Sequence, residues 1–164
     1  MLNEEIASKL IFQFNKEIAA AYNYYSASSW CSLKALSGFQ SWFCNQAKEE
    51  LEHAHKLYLY LLARDYPLQF HEIPSGRVEF QNLCEIFSWG LELEIQVERN
   101  YQDLAELCLV VKDHTTYEFV QWFLKEQVEE IDTFRTFKDR LELIGENTSL
   151  IVLLDAELQK SKAD

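Results

Sequence analysis

The 164-residue chain contains few residues that break helices, with four glycines and two prolines. This scarcity excludes a fold with many turns and favours long, uninterrupted helices. Hydrophobic residues make up 48% of the chain and aromatic residues 14%, so the composition is not that of a disordered protein. The length suits one domain with a proper core, and we therefore expect a single domain over residues 1–164.

Basic clusters, long apolar runs and closely paired cysteines are also lacking. The 27 acidic residues outnumber the 15 basic ones, which gives a net charge of −12. This balance disfavours nucleic acid and anionic membranes as partners and favours cations. No apolar stretch approaches membrane-spanning length, and the N-terminus lacks a signal-peptide pattern. The four cysteines contain no Cys-x-x-Cys pair, so we expect reduced thiols in a cytoplasmic protein.

Helix start and stop signals predict five helices. The predicted caps or first residues are Asn3, Ser37, Asn82, Thr115 and Thr148, and the predicted helices run to about Cys31, Asp65, Val111, Gly145 and Gln159. Ser37 with Gln40 and Thr115 with Glu118 have the spacing of a capping box. The fifth helix, from about Ser149, is much shorter than the others.

The lengths of the connections predict the topology. The links near residues 32–37 and 112–115 are short, so each joins antiparallel neighbours. The segment 66–82 is longer and contains Pro67, Pro74 and Gly76. Its roughly 17 residues can span about 55 Å, whereas a helix of about 28 residues is roughly 42 Å long. We therefore predict an all-α fold: a four-helix bundle with a long crossover between the second and third helices, plus a short fifth C-terminal helix.

Each of the four long helices carries a carboxylate near the middle of its apolar stripe. These residues are Glu17, Glu50, Glu94 and Glu130, and Gln127 accompanies the last of them. An unpaired carboxylate on a buried face is costly to ionise. Helices of similar length match at their midpoints, so the four carboxylates should occupy one layer. Their coincidence predicts a shared counter-ion, most economically a pair of metal cations.

Glu50 and His53 form a Glu-x-x-His motif, which places both side chains on one helix face. One imidazole among several carboxylates suits iron or manganese, whereas structural zinc prefers thiolates. Taken alone, such a motif is usually a chance surface pair, and a single glutamate within a stripe usually reaches water. The coincidence across four helices favours the metal site over these alternatives.

The chain resembles the ferritins, and most closely the bacterial non-haem ferritins, over essentially its full length. The matching parts are Glu17, KEELEH ending at His53, LELE ending at Glu94, and QWFLKEQVEE, which ends at Glu130 and includes Trp122. The resemblance implies that Glu17, Glu50 and His53 hold a first iron. It implies that Glu50 bridges to a second iron held by Glu94 and Glu130, with Gln127 beside it.

The resemblance also implies roles for residues around the iron pair. Tyr24 would support the ligands from just outside them, with Trp122 nearby. The extra carboxylates of a third iron site would be Glu49, Glu126 and Glu129. The alternative for this last set is that they are ordinary solvated glutamates.

The function implied by the resemblance is iron storage. Fe(II) would be oxidised by dioxygen or peroxide at a di-iron ferroxidase centre, and Fe(III) would be stored as a mineral in a hollow shell of 24 subunits. Two alternatives stay open: a non-catalytic subunit that nucleates mineral, and a di-iron oxygenase or peroxidase. The fourth helix has Gln127-Val-Glu-Glu130 where the oxygenases have a second Glu-x-x-His. Glu52 stands where haem-binding relatives have methionine, so no haem is expected.

Two further features have alternative interpretations. Asp113 and Glu118 could line a threefold iron channel, or they could be charges that stabilise the start of the fourth helix. The apolar run from Leu150 to Leu154 could pack on the end of the bundle, or it could contact symmetry mates around a fourfold axis.

Overall fold

A computed structural model describes residues 2–160 of the chain, and it confirms the five predicted helices. These are α1 (Glu4–Leu33), α2 (Ser37–Ala63), α3 (Leu83–Val110), α4 (His114–Ile144) and α5 (Thr148–Lys160). No β-strand occurs between residues 2 and 160. Among the helices of this described range, none is long and apolar enough to cross a lipid bilayer.

Side-chain contacts between the long helices define their directions. Tyr24 and Tyr101 donate hydrogen bonds to Glu94 and Glu17, so α1 and α3 are antiparallel. Gln46 contacts Glu130, and Tyr60 contacts Thr116, so α2 and α4 are antiparallel too. Because short links also make α1 antiparallel to α2, helices α2 and α3 are parallel, as predicted.

The crossover between α2 and α3 follows the surface of α1 along much of its length. The Asn15 side chain donates to the carbonyl oxygen of Gln69 (2.9 Å) and accepts from the backbone N–H of His71 (2.8 Å). Nearer the other end of α1, the indole N–H of Trp30 donates to the carbonyl oxygen of Phe80 (3.1 Å). These bonds satisfy backbone groups of a segment that has no regular secondary structure of its own.

The buried apolar side chains form two clusters along the bundle axis. One cluster includes Tyr24, Phe39, Phe43, Phe87 and Phe134, and the other includes Ile6, Leu10, Leu57, Tyr101 and Phe123. Glu17 of α1 and Glu50 of α2 lie between the segments that supply these two clusters. The bundle therefore has two hydrophobic halves with a polar layer between them.

Asn3 and Asn82 cap α1 and α3 as predicted, but the capping box predicted at Ser37 is wrong. Helix α2 begins at Ser37, and the preceding Leu36 offers no side-chain acceptor. The acceptor comes instead from α5, where Asp155 Oδ1 accepts from the backbone N–H of Phe39 (2.9 Å). Tertiary packing has replaced a local cap.

The capping box predicted at Thr115 is also wrong, since Thr115 lies inside α4. Asp113 is the cap, and its Oδ1 accepts from the backbone N–H of Thr116 (3.0 Å). The other oxygen, Oδ2, accepts from the Arg64 guanidinium (3.1 Å). Asp113 therefore serves the start of the helix, in agreement with the second of its two interpretations.

Helix α5 starts one residue earlier than predicted. Thr148 is its first residue rather than its cap. The side-chain oxygen of Asn147 accepts from the backbone N–H of Leu150 (3.2 Å) and so performs the capping role. The far end of α5 packs beside the start of α2, where Gln159 donates to the Ser37 hydroxyl (2.5 Å).

Candidate metal centre

The polar layer at the middle of the bundle contains the residues predicted from the four stripes. Five of them are almost completely buried: Glu17 (1% exposed), Glu50 (2%), His53 (6%), Glu94 (2%) and Gln127 (2%). Glu130 is half-buried. The periodicity that buries the apolar stripe of each helix also buries the carboxylate within it.

Glu17, Glu50 and His53 form a compact group of potential metal ligands. Their ligand atoms all lie within 4.8 Å of one another. His53 Nδ1 is 3.2 Å from Glu50 Oε2. Two carboxylates and one imidazole on two adjacent helices are a suitable donor set for iron or manganese.

Glu50 has an unsatisfied oxygen at the centre of this group. Its Oε1 is buried and has no hydrogen-bond partner. Leaving a buried acceptor unpaired costs about 1–3 kcal/mol, and more for a charged group. Burial, followed by the charges of Glu94 and Glu17, raises the pKa of Glu50 well above its ordinary value. A cation bound at Oε1 would remove both penalties, so these residues fit a metal ion.

Glu17 is held by two donors that use the same oxygen. Gln13 Nε2 donates to Glu17 Oε1 at 2.9 Å, and the Tyr101 hydroxyl donates to that atom at 2.5 Å. Burial, reinforced by the charge of Glu17, raises the pKa of Tyr101 well above its ordinary value. Tyr101 therefore keeps its proton and remains a donor.

Glu94 is also held by two donors, one from α1 and one from α4. The Tyr24 hydroxyl donates to Oε1, and Gln127 Nε2 donates to Oε2 at 2.8 Å. Burial raises the pKa of Glu94 above its ordinary value, although these two hydrogen bonds oppose the rise. Burial also raises the pKa of Tyr24, and the charge of Glu94 adds to that rise.

Glu130 completes the layer from α4. Its Oε2 accepts from Gln46 Nε2 at 2.9 Å. Burial, together with the charges of Glu94 and Glu49, raises the pKa of Glu130 to about 8. The carboxylates of the layer thus raise one another's pKa, because ionised carboxylates repel each other. A bound cation would offset this repulsion.

An open pocket of about 360 Å³ adjoins the layer between α2 and α4. Glu49, Glu126 and Glu130 line it together with His53 and Trp122. Glu129 is exposed and lies elsewhere, where it lines a groove with Glu98 and Val128. Of the three carboxylates predicted for a third iron site, the structure places two in one pocket and the third outside it.

Trp122 contacts both the pocket and the imidazole. Its ring meets the His53 ring edge-on, with centroids 5.6 Å apart. The Lys56 ammonium lies 4.1 Å from the centroid of the indole, within range of a cation–π interaction. The indole therefore restricts the orientation of the His53 ring.

A ferritin-like domain family matches residues 8–144, which is most of the chain. The chain belongs to the ferritin-like family. A bacterial non-heme ferritin of Staphylococcus haemolyticus is 36% identical over 164 residues, covering 100% of this chain and 99% of its relative. A bacterial non-heme ferritin of Staphylococcus epidermidis is 37% identical over 158 residues, covering 96% of this chain and 95% of its own.

Solved ferritin structures have the same fold as this ferritin-like chain. An open pore ferritin from the hyperthermophilic archaeon Archaeoglobus fulgidus superposes with a TM-score of 0.94 at 32% identity, covering 96% of each chain. A humanized archaeal ferritin superposes with a TM-score of 0.95 at 33% identity, again covering 96% of each chain. These similarities confirm the predicted ferritin-like architecture.

Two glutamines that were not predicted as site residues contact the ligands of this ferritin-like layer. Gln13 donates to Glu17, and Gln46 donates to Glu130. The spacing in the sequence indicates this position, because Gln13 precedes Glu17 by four residues and Gln46 precedes Glu50 by four. Residues four apart share a helix face, so the spacing alone places each glutamine beside the polar layer.

Proposed function

We propose that this protein is an iron-storage ferritin that oxidises Fe(II) at two adjacent iron sites and retains the Fe(III) as a mineral. The observation that supports this most strongly is the unpaired oxygen of Glu50, buried among carboxylates from the other three long helices. Glu50 is the residue whose pKa responds to the charges of Glu94, Glu17 and Glu130 together. It is therefore suited to bridge two cations.

In this proposal, the two Fe(II) ions are substrates held on either side of Glu50. Glu17 and His53 bind the first ion, and Glu94 and Glu130 bind the second, with Gln127 beside them. Each ion supplies one electron, so two Fe(II) and two protons convert dioxygen to hydrogen peroxide, or peroxide to two waters. Hard carboxylate oxygens stabilise the ferric products.

Tyr24 and Trp122 act on this chemistry through the ligands that they contact. Tyr24 fixes Glu94 by donating to its Oε1. Trp122 fixes the plane of the His53 ring through its edge-on contact. Both contacts favour one arrangement of the ligands and reduce the reorganisation needed when Fe(II) binds.

We propose a third iron site in the pocket that Glu49, Glu126 and Glu130 share. The mutual electrostatic influence of these carboxylates supports it, since Glu49 and Glu126 both raise the pKa of Glu130. Glu129 lies outside this pocket, in the groove with Glu98 and Val128. Ordinary solvated glutamates remain the alternative, and the iron count per subunit distinguishes the two.

We further propose that the protein assembles into a hollow homo-oligomer, of 24 subunits as the ferritin resemblance implies. Large hydrophobic side chains on α1 and the crossover offer a surface for subunit contact: Phe12, Tyr22, Tyr25, Ile73 and Val78 are all exposed in the single chain. The cytoplasmic location and the absence of haem stay predictions from the sequence.

Stopped-flow oxidation of Fe(II) at two ions per subunit tests the proposed centre. His53→Ala and Glu94→Ala should each abolish the rapid phase, because each removes a ligand from one of the two ions. Glu129→Ala is the matched control, since it removes an exposed carboxylate of α4 and should spare the rapid phase. A changed iron count per subunit in this variant would show that Glu129, which lies outside the pocket of Glu49 and Glu126, still contacts the third ion.

The outcomes separate the competing functions. Rapid oxidation at the parental rate in both His53→Ala and Glu94→Ala would show that the assigned centre is wrong. A parent that oxidises Fe(II) slowly but keeps a soluble mineral would match a nucleating subunit. A parent that oxidises Fe(II) quickly, stays a small oligomer in light scattering and retains no mineral would match an oxygenase or peroxidase.

A further inference from the structure

Three side-chain amides form a continuous chain of hydrogen bonds from the surface of α3 to Glu17. Gln96 Nε2 donates to Asn100 Oδ1 (3.1 Å), and Asn100 Nδ2 donates to Gln13 Oε1 (3.2 Å). Gln13 Nε2 then donates to Glu17 Oε1 (2.9 Å). Gln96 is exposed and Asn100 is half-buried, while Gln13 is only 1% exposed.

The direction of this chain is fixed by the chemistry of the amide group. Each amide has one accepting oxygen and one donating NH₂ group. The oxygen of Gln13 faces the NH₂ group of Asn100, so the NH₂ group of Gln13 faces Glu17. A reversed Gln13 would place its oxygen against the carboxylate and its NH₂ group against that of Asn100. Both contacts would be repulsive.

The chain ends on the oxygen of Glu17 that is already occupied by Tyr101. Gln13 and the Tyr101 hydroxyl both donate to Oε1, so neither of these donors occupies Oε2. Because Gln13 is buried, water cannot readily replace its hydrogen bond to Glu17. The two donors therefore hold Oε1 and set where the other oxygen of Glu17 points.

We propose that Gln13 is a positioning residue for the first Fe(II), and that Asn100 sets the orientation of Gln13. This inference rests on the proposed function, in which Glu17 binds that ion. Gln13 acts through Glu17, and Asn100 acts one step further away, through Gln13. Loss of such an outer partner of a metal ligand typically weakens metal binding by about 10- to 100-fold.

The decisive variant is Asn100→Asp, which keeps the shape of residue 100 and replaces its donor with an acceptor. Gln13 then lies between two carboxylates with one NH₂ group to donate, so its hydrogen bond to Glu17 is opposed by the acceptor at position 100. The probe is Co(II) added anaerobically to the metal-free assembled protein, followed by calorimetry and by ligand-field absorption. We expect the affinity of the site that contains Glu17 to fall about tenfold, with a changed absorption intensity.

Electrostatics provides an internal control for this variant. Asn100→Asp adds a negative charge near the site, which by itself attracts Co(II) and strengthens binding. Weaker binding therefore has to come from the altered hydrogen bonds. Gln96→Glu adds the same charge at the exposed end of the chain. It removes the donor to Asn100 Oδ1, but position 96 is exposed and water can donate there instead. Asn100 therefore keeps its NH₂ group toward Gln13, and the affinity should equal or exceed that of the parent.

Two further variants, with their melting temperatures, distinguish a loss of metal binding from a loss of stability. Gln13→Leu deletes the donor to Glu17. Asn100→Ala removes the donor to Gln13 but adds no acceptor in its place. The loss of Co(II) affinity should therefore be smaller for Asn100→Ala than for Asn100→Asp. Thermal unfolding of each metal-free variant is measured in parallel. If Gln13 only fills the core, Gln13→Leu changes the melting temperature and leaves the Co(II) affinity at the parental value.

Glu17→Ala separates this inference from the function on which it depends. If the parent has no Co(II) site that Glu17→Ala weakens, the proposed function and the inference both fail. If Glu17→Ala weakens the site while Gln13→Leu and Asn100→Asp keep parental affinity and absorption, the inference alone is overturned. Weaker binding in all three, with parental affinity in Gln96→Glu, supports the assigned role of Gln13.

Discussion

Replacing Glu130 with glutamine should stabilise the metal-free protein, and the gain should be larger at pH 8 than at pH 5. Burial and the charges of Glu94 and Glu49 raise the pKa of Glu130 from 4.5 to about 8. Glutamine has nearly the same shape, and its amide oxygen can still accept the hydrogen bond from Gln46. The substitution thus removes a charge without opening a cavity.

The sign and size of the effect follow from the two pKa values of Glu130. The folded protein keeps a proton that the unfolded chain releases, so stability falls as pH rises from 4.5 to about 8. At about 1.36 kcal/mol per pH unit, full ionisation in the folded state costs about 5 kcal/mol. Screening by water in the adjoining pocket reduces this to on the order of 3 kcal/mol. Near pH 5 the cost is under about 1 kcal/mol.

The assay is guanidinium unfolding of metal-free parent and Glu130→Gln at equal subunit concentration, at pH 5 and pH 8. Glu92→Gln is the control, because it removes the same charge from an exposed position on α3. If Glu130→Gln is no more stable than the parent at pH 8, or if its gain is equal at both pH values, the pKa of Glu130 is not raised in the folded protein. Added Fe(II) under anaerobic conditions should stabilise the parent more than Glu130→Gln, since the variant lacks a ligand.

Two substitutions outside the polar layer test the packing. Gly90→Ala should destabilise the protein by about 1–3 kcal/mol, because an added Cβ would lie 2.3 Å from Cε1 of the Phe134 ring. Calorimetry should show a lower melting temperature. An unchanged melting temperature would contradict the close approach of α3 to Phe134. Asp155→Ala should cost about 1 kcal/mol, because it removes the acceptor for the backbone N–H of Phe39. Hydrogen exchange should accelerate in the first turn of α2 while the first turn of α3, capped by Asn82, exchanges as before.

The features predicted correctly from the sequence are those that depend on periodicity and chain length. Helix start and stop signals predicted the five helices, and the length of the 66–82 segment predicted the parallel arrangement of α2 and α3. The position of Glu17, Glu50, Glu94 and Glu130 near their helix midpoints predicted a common layer. Each of these inferences uses the spacing within one helix or the reach of one connection, which local sequence specifies.

The features that the sequence did not predict depend on tertiary contacts. Ser37 has the local pattern of a cap, but Asp155 of α5 supplies the acceptor instead. The cap of α4 is a local exception, since Asp113 accepts from Thr116, three residues further along. Capping patterns describe neighbouring residues, whereas Asp155 lies 116 positions from the N–H that it accepts. The position of Glu129 is a different case. Glu129 lies one residue, about 100° around α4, from Glu130, so its place outside the pocket of Glu126 and Glu130 follows from spacing that the sequence already shows.

The contact between Asp155 and Phe39 has a consequence for the order in which the bundle is completed during synthesis. A chain emerges from the ribosome N-terminus first, so α2 is made long before the residue that satisfies its first turn. Until Asp155 arrives, 116 residues later, that turn lacks an acceptor and remains free to fray. The docking of α5 is therefore the step that stabilises the first turn of α2, the helix that carries Glu50 and His53.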